Sequence, residues 1–143
     1  MNWFKKKVVL VPVDFSAQSM AAIDAGLDAV DSPAGLHVLH VLPMLTAAEP
    51  AGLAWDVPGD NVRLEATEKA LRERLGNEKY RGIQIAARIG DPGHDIVDYA
   101  KQIKAEMIIL PSHGRTGFKR LLIGSVAERV CRLAHCPVLV LRS

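Results

Sequence analysis

The sequence has few aromatic residues, little net charge and almost no cysteine. Aromatic residues make up 5% of the 143 residues, so the core has to consist of Val, Leu, Ile and Ala. The formal net charge of +2 is too small to indicate a nucleic-acid partner, so any phosphate site must depend on local charge. Cys131 and Cys136 lack disulfide-type spacing and, with His135, lack a fourth metal ligand. We expect them to be small buried hydrophobic residues in a reducing compartment.

Long hydrophobic runs are also missing. No apolar stretch approaches the ~20 residues that a membrane-spanning helix needs. The apolar run that begins at Val8 is interrupted by Pro12 and ends before Asp14. This run is too short for the apolar region of a secretion signal. The sequence therefore predicts a cytoplasmic protein without a membrane partner. Its 49% hydrophobic and 24% charged residues are typical of globular proteins, and its length predicts one domain spanning residues 1–143.

Apolar runs alternate along the chain with segments of helical periodicity. Continuous apolar runs predict strands buried on both faces, whereas an alternating pattern over 83–89 predicts an edge strand. Ser16 and Asp91 are predicted helix caps, and Ser125 begins a capping-box pattern. This order predicts an α/β fold, a doubly wound five-stranded parallel sheet with helices on both faces. The predicted strands are 8–11, 36–42, 83–89, 107–110 and 138–141, and the predicted helices are 16–30, 60–79, 91–103 and 124–134.

The predicted helix over 60–79 is amphipathic. Its inward residues are expected to be Val62, Ala66, Ala70 or Leu71, and Leu75, while the opposite face carries charges of both signs. The segment 43–60 before it contains several Pro and Gly residues and is expected to be a long loop. Trp55 in that loop either covers a ligand, packs on a partner or, as we favour, anchors the loop.

A phosphate site is predicted where the winding of the sheet reverses. Ligands of such sheets bind at the carboxyl ends of strands, which places Asp14 opposite the loop that starts at Pro111. A helix N-terminus is expected directly after Gly124, and helix N-termini bind anions. The pattern is neither a Walker loop nor a dinucleotide fingerprint. Three glycines and three cations of the loop support the phosphate site: Gly114, Gly117, Gly124, Arg115, Lys119 and Arg120.

Asp14 is the polar residue at the end of the first predicted strand. Its carboxylate can accept hydrogen bonds from a base or ribose, or bind a hydrated Mg²⁺. Alternatively, it only accepts backbone donors near the start of the next helix.

Four segments in order resemble the universal stress protein family over nearly the whole length: VPVDFS, LHVLHV, SHGRTGFKRLLIGSVAERV and CPVLVL. The resemblance implies strand order 3-2-1-4-5, dimerisation and, in one branch of the family, binding of ATP, ADP or AMP, with or without Mg²⁺. The nucleotide-binding residues that it implies are Pro12, Val13, Asp14, Val41, Pro111, Ser112, His113, Gly114, Arg115, Thr116, Gly117, Gly124, Ser125 and Val126. The leading hypothesis is therefore a homodimeric, stress-related regulatory module that binds an adenine nucleotide without efficient turnover.

One position departs from the pattern of that branch. The pattern is G-x-x-G, nine residues, then G-S/T, and this sequence matches it from Gly114 to Ser125 but has Pro111 at the first glycine. Proline has no amide hydrogen and a fixed φ, so it cannot donate to a ribose or phosphate. A first alternative is therefore a dimeric scaffold that has lost nucleotide binding.

A second alternative is slow ATP hydrolysis. His113 is a candidate general base, but the sequence offers no evident catalytic partner beside it. A loop histidine is more often a hydrogen-bonding or packing group, so no catalytic residue is assigned.

The last predicted strand lies at a sheet edge in the order 3-2-1-4-5. It is apolar throughout, and such an edge pairs readily with another chain. We expect a twofold dimer through Val138, Leu139, Val140 and Leu141. The alternative is that a helix or the C-terminal residues cover the edge.

Overall fold

The structure, a computed structural model, describes residues 4–45, 59–113 and 123–142. These residues form one five-stranded sheet whose strands all pair in parallel, in the order β3-β2-β1-β4-β5. The predicted fold class and strand order are confirmed. The strands are β1 (Val9–Pro12), β2 (Leu36–Leu42), β3 (Gln84–Ile89), β4 (Met107–Pro111) and β5 (Val138–Leu141). The helices are α1 (Ala17–Ala29), α2 (Asp60–Arg74), α3 (Pro92–Gln102) and α4 (Ser125–Leu133).

The two central strands separate near their carboxyl ends. β1 pairs with β2 as far as Pro12 and Leu39, whereas its pairing with β4 ends at Leu10 and Ile108. Beyond that point β1 and β4 have different neighbours, because β1 turns toward α1 and β4 stays paired with β5. The divergence opens a crevice at the carboxyl edge of the sheet, which is where ligands bind in folds of this class.

Helices cover both faces of the sheet and produce two core clusters. Alternate strand residues point to opposite faces, so Val9 and Val11 belong to one cluster and Leu10 to the other. The first cluster lies under α1 and α2, and the second lies under α3 and α4. Both clusters consist mainly of aliphatic residues, as the scarcity of aromatic residues predicts.

Two predicted helix caps are present in the structure. The side chain of Ser16 accepts from the amide of Ser19 at the start of α1, at 3.1 Å. Asp91 caps α3 in the same way, with Pro92 as the first helical residue. The predicted start of α4 directly after Gly124 is confirmed, but Ser125 is not the capping residue: Gly124 is the cap and Ser125 already lies inside the helix. A capping-box pattern defines the helix start only approximately, and here the close contact of Gly124 with β4 decides it.

Helix α2 confirms the predicted inward residues Leu71 and Leu75, whereas the prediction was wrong for Val62 and Ala66. Its buried residues are Thr67 and Leu71, followed by Leu75 just after the helix, whereas Val62 is 56% exposed and Ala66 is also exposed. α2 packs chiefly on the edge strand β3, so only a narrow stripe is covered. The covered stripe includes two Leu side chains, which bury more apolar area than Val and Ala.

Burial of Thr67 is tolerated because its hydroxyl donates to the carbonyl of Arg63 at 2.9 Å. The helix also ends at Arg74, earlier than the predicted Lys79, and a glycine at 76 follows it.

Two further predictions concern the edges of the sheet and membrane-spanning helices. β3 and β5 are the two edges of the sheet, and all four residues of β5 are half-buried. Within the three described ranges, no helix has the length and apolar character to cross a membrane. The predicted loop residue Trp55 lies outside the described residues.

Candidate functional site

A cavity of about 170 Å³ lies in the crevice at the carboxyl edge of the sheet. One water molecule needs about 10–15 Å³ on the same measure, so the cavity has room for a much larger molecule. Its walls come from the ends of β1, β2 and β4 and from the first turns of α1, α3 and α4. The residues that line it are Pro12, Val13, Asp14, Ser19, Leu39, His40, Val41, Pro92, Ile96, Leu110, Pro111, Ser112, Gly124, Ser125, Val126 and Ala127.

Nine of the predicted site residues are brought together around this cavity. They are Pro12, Val13, Asp14, Val41, Pro111, Ser112, Gly124, Ser125 and Val126. His113 is described but does not line the cavity, and its ring Nδ1 is buried without a hydrogen-bond partner among the described residues. The other predicted residues, with two cations of the same loop, lie outside the described residues: Gly114, Arg115, Thr116, Gly117, Lys119 and Arg120.

The first turn of α4 forms one wall of the cavity. Gly124 caps the helix and has no side chain that could accept from the following amides. Ser125, Val126 and Ala127 line the cavity at this helix start. α1 and α3 differ, because the side chains of Ser16 and Asp91 each accept from a first-turn amide. The amino end of α4, with its positive dipole end, can therefore bind an anion.

The end of β4 holds this helix start in place. The amide of Ser112 donates to the carbonyl of Leu141 at 2.8 Å, which extends the pairing of β4 with β5 by one residue. The carbonyl of Ser112 in turn accepts from the amide of Gly124 at 2.5 Å. Ser112 is 3% exposed and lines the cavity, so it connects the sheet to the first turn of α4.

Asp14 lies opposite, in the turn between β1 and α1. Its Oδ1 accepts from the amide of Ser16 at 3.0 Å, and its own amide donates to the hydroxyl of Ser19 at 3.2 Å. The carboxylate therefore takes part in the local turn, as the alternative reading predicts, and it also lines the cavity. Asp14 can stabilise the turn and also face a ligand, because an Asx turn leaves a carboxylate with further acceptor sites.

Most of the remaining lining is apolar. Leu39 and Val41 from β2, Leu110 from β4 and Ile96 from α3 form this part of the wall. A flat apolar ring fits such a surface, whereas the polar atoms of Asp14, Ser112 and Ser125 suit hydroxyl or phosphate oxygens. The described lining residues include one carboxylate and neither Lys nor Arg.

Sequence reasoning missed seven lining residues. Ser19, Pro92 and Ala127 belong to first turns of helices, which all begin at the carboxyl edge of a parallel sheet, so their position offered a signal. Leu39, Ile96 and Leu110 read as ordinary core residues. His40 was considered only as a metal ligand with His37 and set aside because the two point to opposite faces. The two histidines do have different surroundings: Nδ1 of His37 lies 3.4 Å from the hydroxyl oxygen of Tyr99, whereas Nδ1 of His40 contacts the carbonyl oxygen of Val13.

Metal and thiol chemistry find little support in the described part of the chain. It contains no group of three or more His, Cys, Asp or Glu side chains placed to bind a metal. Mg²⁺ usually binds one or two carboxylates together with substrate phosphates, so Asp14 fits a metal that arrives with a nucleotide rather than a resident one. Cys131 is exposed and Cys136 is half-buried, so the prediction that both are buried was wrong. Partial burial still raises the pKa of both thiols, with a smaller effect from Glu128 on Cys131. Raised pKa values disfavour the reactive thiolate.

Comparison with known proteins agrees with this architecture. A sequence profile described as "Universal stress protein family" matches residues 6–142. The universal stress protein MJ0531 from Methanocaldococcus jannaschii is 32% identical over 145 aligned residues, which cover 99% of this chain and 84% of that protein.

Solved structures show the same fold. Universal stress protein UspA from Lactobacillus plantarum superimposes with a TM-score of 0.76 at 26% identity, covering 96% of this chain and 99% of that chain. A universal stress protein in complex with cAMP superimposes with a TM-score of 0.66 at 24% identity, covering 94% and 96% of the two chains.

Proposed function

The chain belongs to the universal stress protein family, and we propose that it is a cytoplasmic, homodimeric regulatory module that binds an adenine nucleotide. In this proposal residues 1–143 act as one nucleotide-binding domain, and the nucleotide is bound without efficient turnover. One observation carries it: the cavity at the divergence of β1 and β4 has an apolar wall on one side and, on another, the start of α4, whose first amides have no side-chain acceptor at the cap. Those are the two surfaces that a nucleotide requires.

Each part of the cavity suits one part of the ligand. The purine would lie against Leu39, Val41 and Ile96, which bury its apolar faces. Asp14 would accept from a ribose hydroxyl. The phosphates would accept from the first amides of α4 and from the hydroxyl of Ser125. A protein of the same fold is known with cAMP, an adenosine phosphate, and this supports the ligand class at the level of the fold.

Pro111 is the residue that most affects this proposal. It lines the cavity at the end of β4 and cannot donate a hydrogen bond from its nitrogen. The amides of Ser125 and Val126 do not depend on it, so binding is expected to persist with reduced affinity. If binding is absent, the remaining function is that of a dimeric scaffold.

Calorimetric titration with ATP, ADP and AMP, each with and without Mg²⁺, tests the proposal directly. Binding of at least one nucleotide is the expected result, and no heat change with any of them would favour the scaffold. Replacement of Pro111 by Gly should tighten binding by about tenfold, the equivalent of one recovered hydrogen bond. Pro33→Gly is the matched control, because Pro33 begins an exposed 3-10 turn remote from the cavity. Unchanged affinity of Pro111→Gly would mean that the proline is not the defect.

Turnover has its own test. We expect a phosphate-release assay to detect little hydrolysis, because the described lining residues offer Asp14 but no second acid or base apart from His40. A clear rate that collapses in the His113→Ala variant would instead support the hydrolase alternative.

The dimer is proposed to form through the free edge of β5. The carbonyls of Pro137 and Leu141 accept from the amides of Ile108 and Ser112, on the side of β4. Between these two residues the backbone polar groups therefore point alternately toward β4 and toward the free edge of the sheet. By this alternation the amide of Val140 points to the free edge. Val140→Pro should therefore remove a hydrogen bond of the dimer while leaving the pairing with β4 intact.

Light scattering at micromolar concentration tests this arrangement. We expect a dimer for the unmodified chain and a dissociation constant raised by about tenfold or more in Val140→Pro. Ala87→Pro on the opposite edge strand β3 is the control: the amide of Gly90 donates to the carbonyl of Leu42, so by the same alternation the amide of Ala87 points away from β2. A strict monomer at this concentration would contradict the proposed interface.

A further inference from the structure

The turn that carries Asp14 contains a strained residue. Phe15 follows Asp14 and has a φ of 65°, in the left-handed region that bulky side chains rarely adopt. Such a conformation is strained and persists only where surrounding contacts enforce it. The contacts that enforce it here determine where Asp14 lies.

Local hydrogen bonds fix only one side of the turn. Ser19 accepts from the amide of Asp14 and donates to the carbonyl of Ser16, and Asp14 accepts from the amide of Ser16. All of these groups belong to the turn itself or to the first turn of α1. They position Asp14 relative to α1 but not relative to β2, which forms the opposite part of the cavity wall.

His40 supplies a side-chain connection from the turn to β2. Its Nδ1 lies 2.6 Å from the carbonyl oxygen of Val13, and because a carbonyl only accepts, this nitrogen carries the hydrogen. The imidazole also packs edge to face against Phe15, with ring centroids 5.0 Å apart. The amide of Val13 donates to the carbonyl of Leu39 at 2.8 Å, so both polar backbone groups of Val13 are bound by β2.

Arg74 contacts the strained residue from α2. Its guanidinium carbon lies 5.5 Å from the centre of the Phe15 ring, and its Nη1 donates to the Phe15 carbonyl at 3.4 Å. Phe15 is therefore held between His40 and Arg74. His40 is the closer partner and the one that also lines the cavity.

We propose that His40 is a positioning residue, which holds the strained Asp14–Phe15 turn against β2 and thereby sets the place of Asp14 in the cavity. What Asp14 then binds rests on the proposed function. The hold on the turn is a property of the free protein and is measurable without a ligand.

Three variants of His40 separate its hydrogen bond from its bulk. His40→Leu removes the donor. His40→Asn keeps an N–H donor near the place of Nδ1, whereas His40→Gln places its amide one bond further out, near the place of Nε2. His37→Leu is the matched control, because His37 lies on the same strand but contacts Tyr99 on the other face of the sheet.

The primary readout is hydrogen exchange at the amides of Asp14 and Ser16 in the free protein. We expect exchange to accelerate by about tenfold in His40→Leu and His40→Gln, the effect of one lost hydrogen bond, and to return close to the original rate in His40→Asn. The His37→Leu control should leave these two amides unchanged. ATP affinity by calorimetry should follow the same order, with losses of about tenfold for the first two variants.

Each outcome has one meaning. Unchanged exchange at Asp14 and Ser16 in both His40→Leu and His40→Gln would overturn the inference, whatever the nucleotide does. Equal damage in His40→Asn and His40→Gln would also overturn it, because the rescue by the donor would be missing. If His40→Leu does not fold, the comparison of the Asn and Gln variants decides. If the exchange rates are as expected but the unmodified chain does not bind ATP, the proposed function is wrong and the positioning role of His40 stands.

Discussion

The amide of Gly124 donates to the carbonyl of Ser112 at 2.5 Å, so α4 begins within one hydrogen bond of the residue that follows β4. A Cβ atom on residue 124 would lie 3.1 Å from that carbonyl oxygen, which is closer than ordinary van der Waals contact. Glycine therefore allows the close approach that places the first amides of α4 in the cavity.

Gly124→Ala should accordingly weaken nucleotide binding. The added methyl group has to displace either the carbonyl of Ser112 or the start of α4, and both carry the proposed phosphate site. We expect about a tenfold loss of ATP affinity by calorimetry, with the overall fold retained. Gly59→Ala is the control, since a Cβ there meets no atom within 4 Å. Equal affinity of Gly124→Ala and the unmodified chain would show that this approach is not needed for binding.

Gly26 lies where α1 meets the sheet most closely. A Cβ there would lie 2.7 Å from Cδ1 of Leu36 and 2.9 Å from Cγ2 of Val11, both buried core side chains. Gly→Ala ordinarily stabilises a helix, but here overpacking should lower the free energy of unfolding by about 1–3 kcal/mol. Urea denaturation measures the change. Gly93→Ala is the comparison: its Cβ meets the flexible side chain of Arg129, so its effect should stay within about 1 kcal/mol.

Asp91 combines a helix cap with an ion pair. Its carboxylate accepts from the amide of His94, and its Oδ2 lies 2.9 Å from Nη1 of Arg129. Asn preserves the cap and removes the charge, whereas Ala removes both. Both partners of the ion pair are about half exposed, so Asp91→Asn should lower the free energy of unfolding by less than about 1 kcal/mol.

Asp91→Ala should cost about 1 kcal/mol more than Asp91→Asn, because the cap is lost as well. Thermal denaturation of the two variants in parallel measures the difference. A larger effect for Asn than for Ala would mean that the amide disturbs the start of α3 in its own right.

His37 should make stability depend on pH. Burial lowers its pKa below the ordinary value of 6.5, so the unfolded chain takes up a proton at a pH where the folded protein does not. The free energy of unfolding should therefore be unaffected by this group above pH 6.5 and should fall as the pH drops below that value, levelling off below the folded pKa. Urea denaturation as a function of pH measures the profile, and His37→Leu should have a flatter one below the ordinary pKa of 6.5. A profile identical to that of the unmodified chain would contradict the assignment to His37.

The order and type of the strands and helices could be predicted because each depends on neighbours close in sequence. The apolar run at β4 and the alternation at β3 differ in pattern because one strand is central and the other lies at an edge. Ser16 and Asp91 were recognisable as caps because a cap acts on an amide three residues away. The cavity position near Asp14 followed from the winding of the sheet.

The fold class, the strand order that the family shares and nine of the residues around the cavity could be read from the sequence alone. The tertiary structure was needed to show that α2 buries Thr67 beside Leu71 and leaves Val62 exposed, because contact with β3 covers only a narrow stripe of the helix. It was also needed to show that Gly124 rather than Ser125 caps α4, and to reveal the role of His40. Both depend on contacts between segments far apart in the chain, and no local pattern of side chains records those distances.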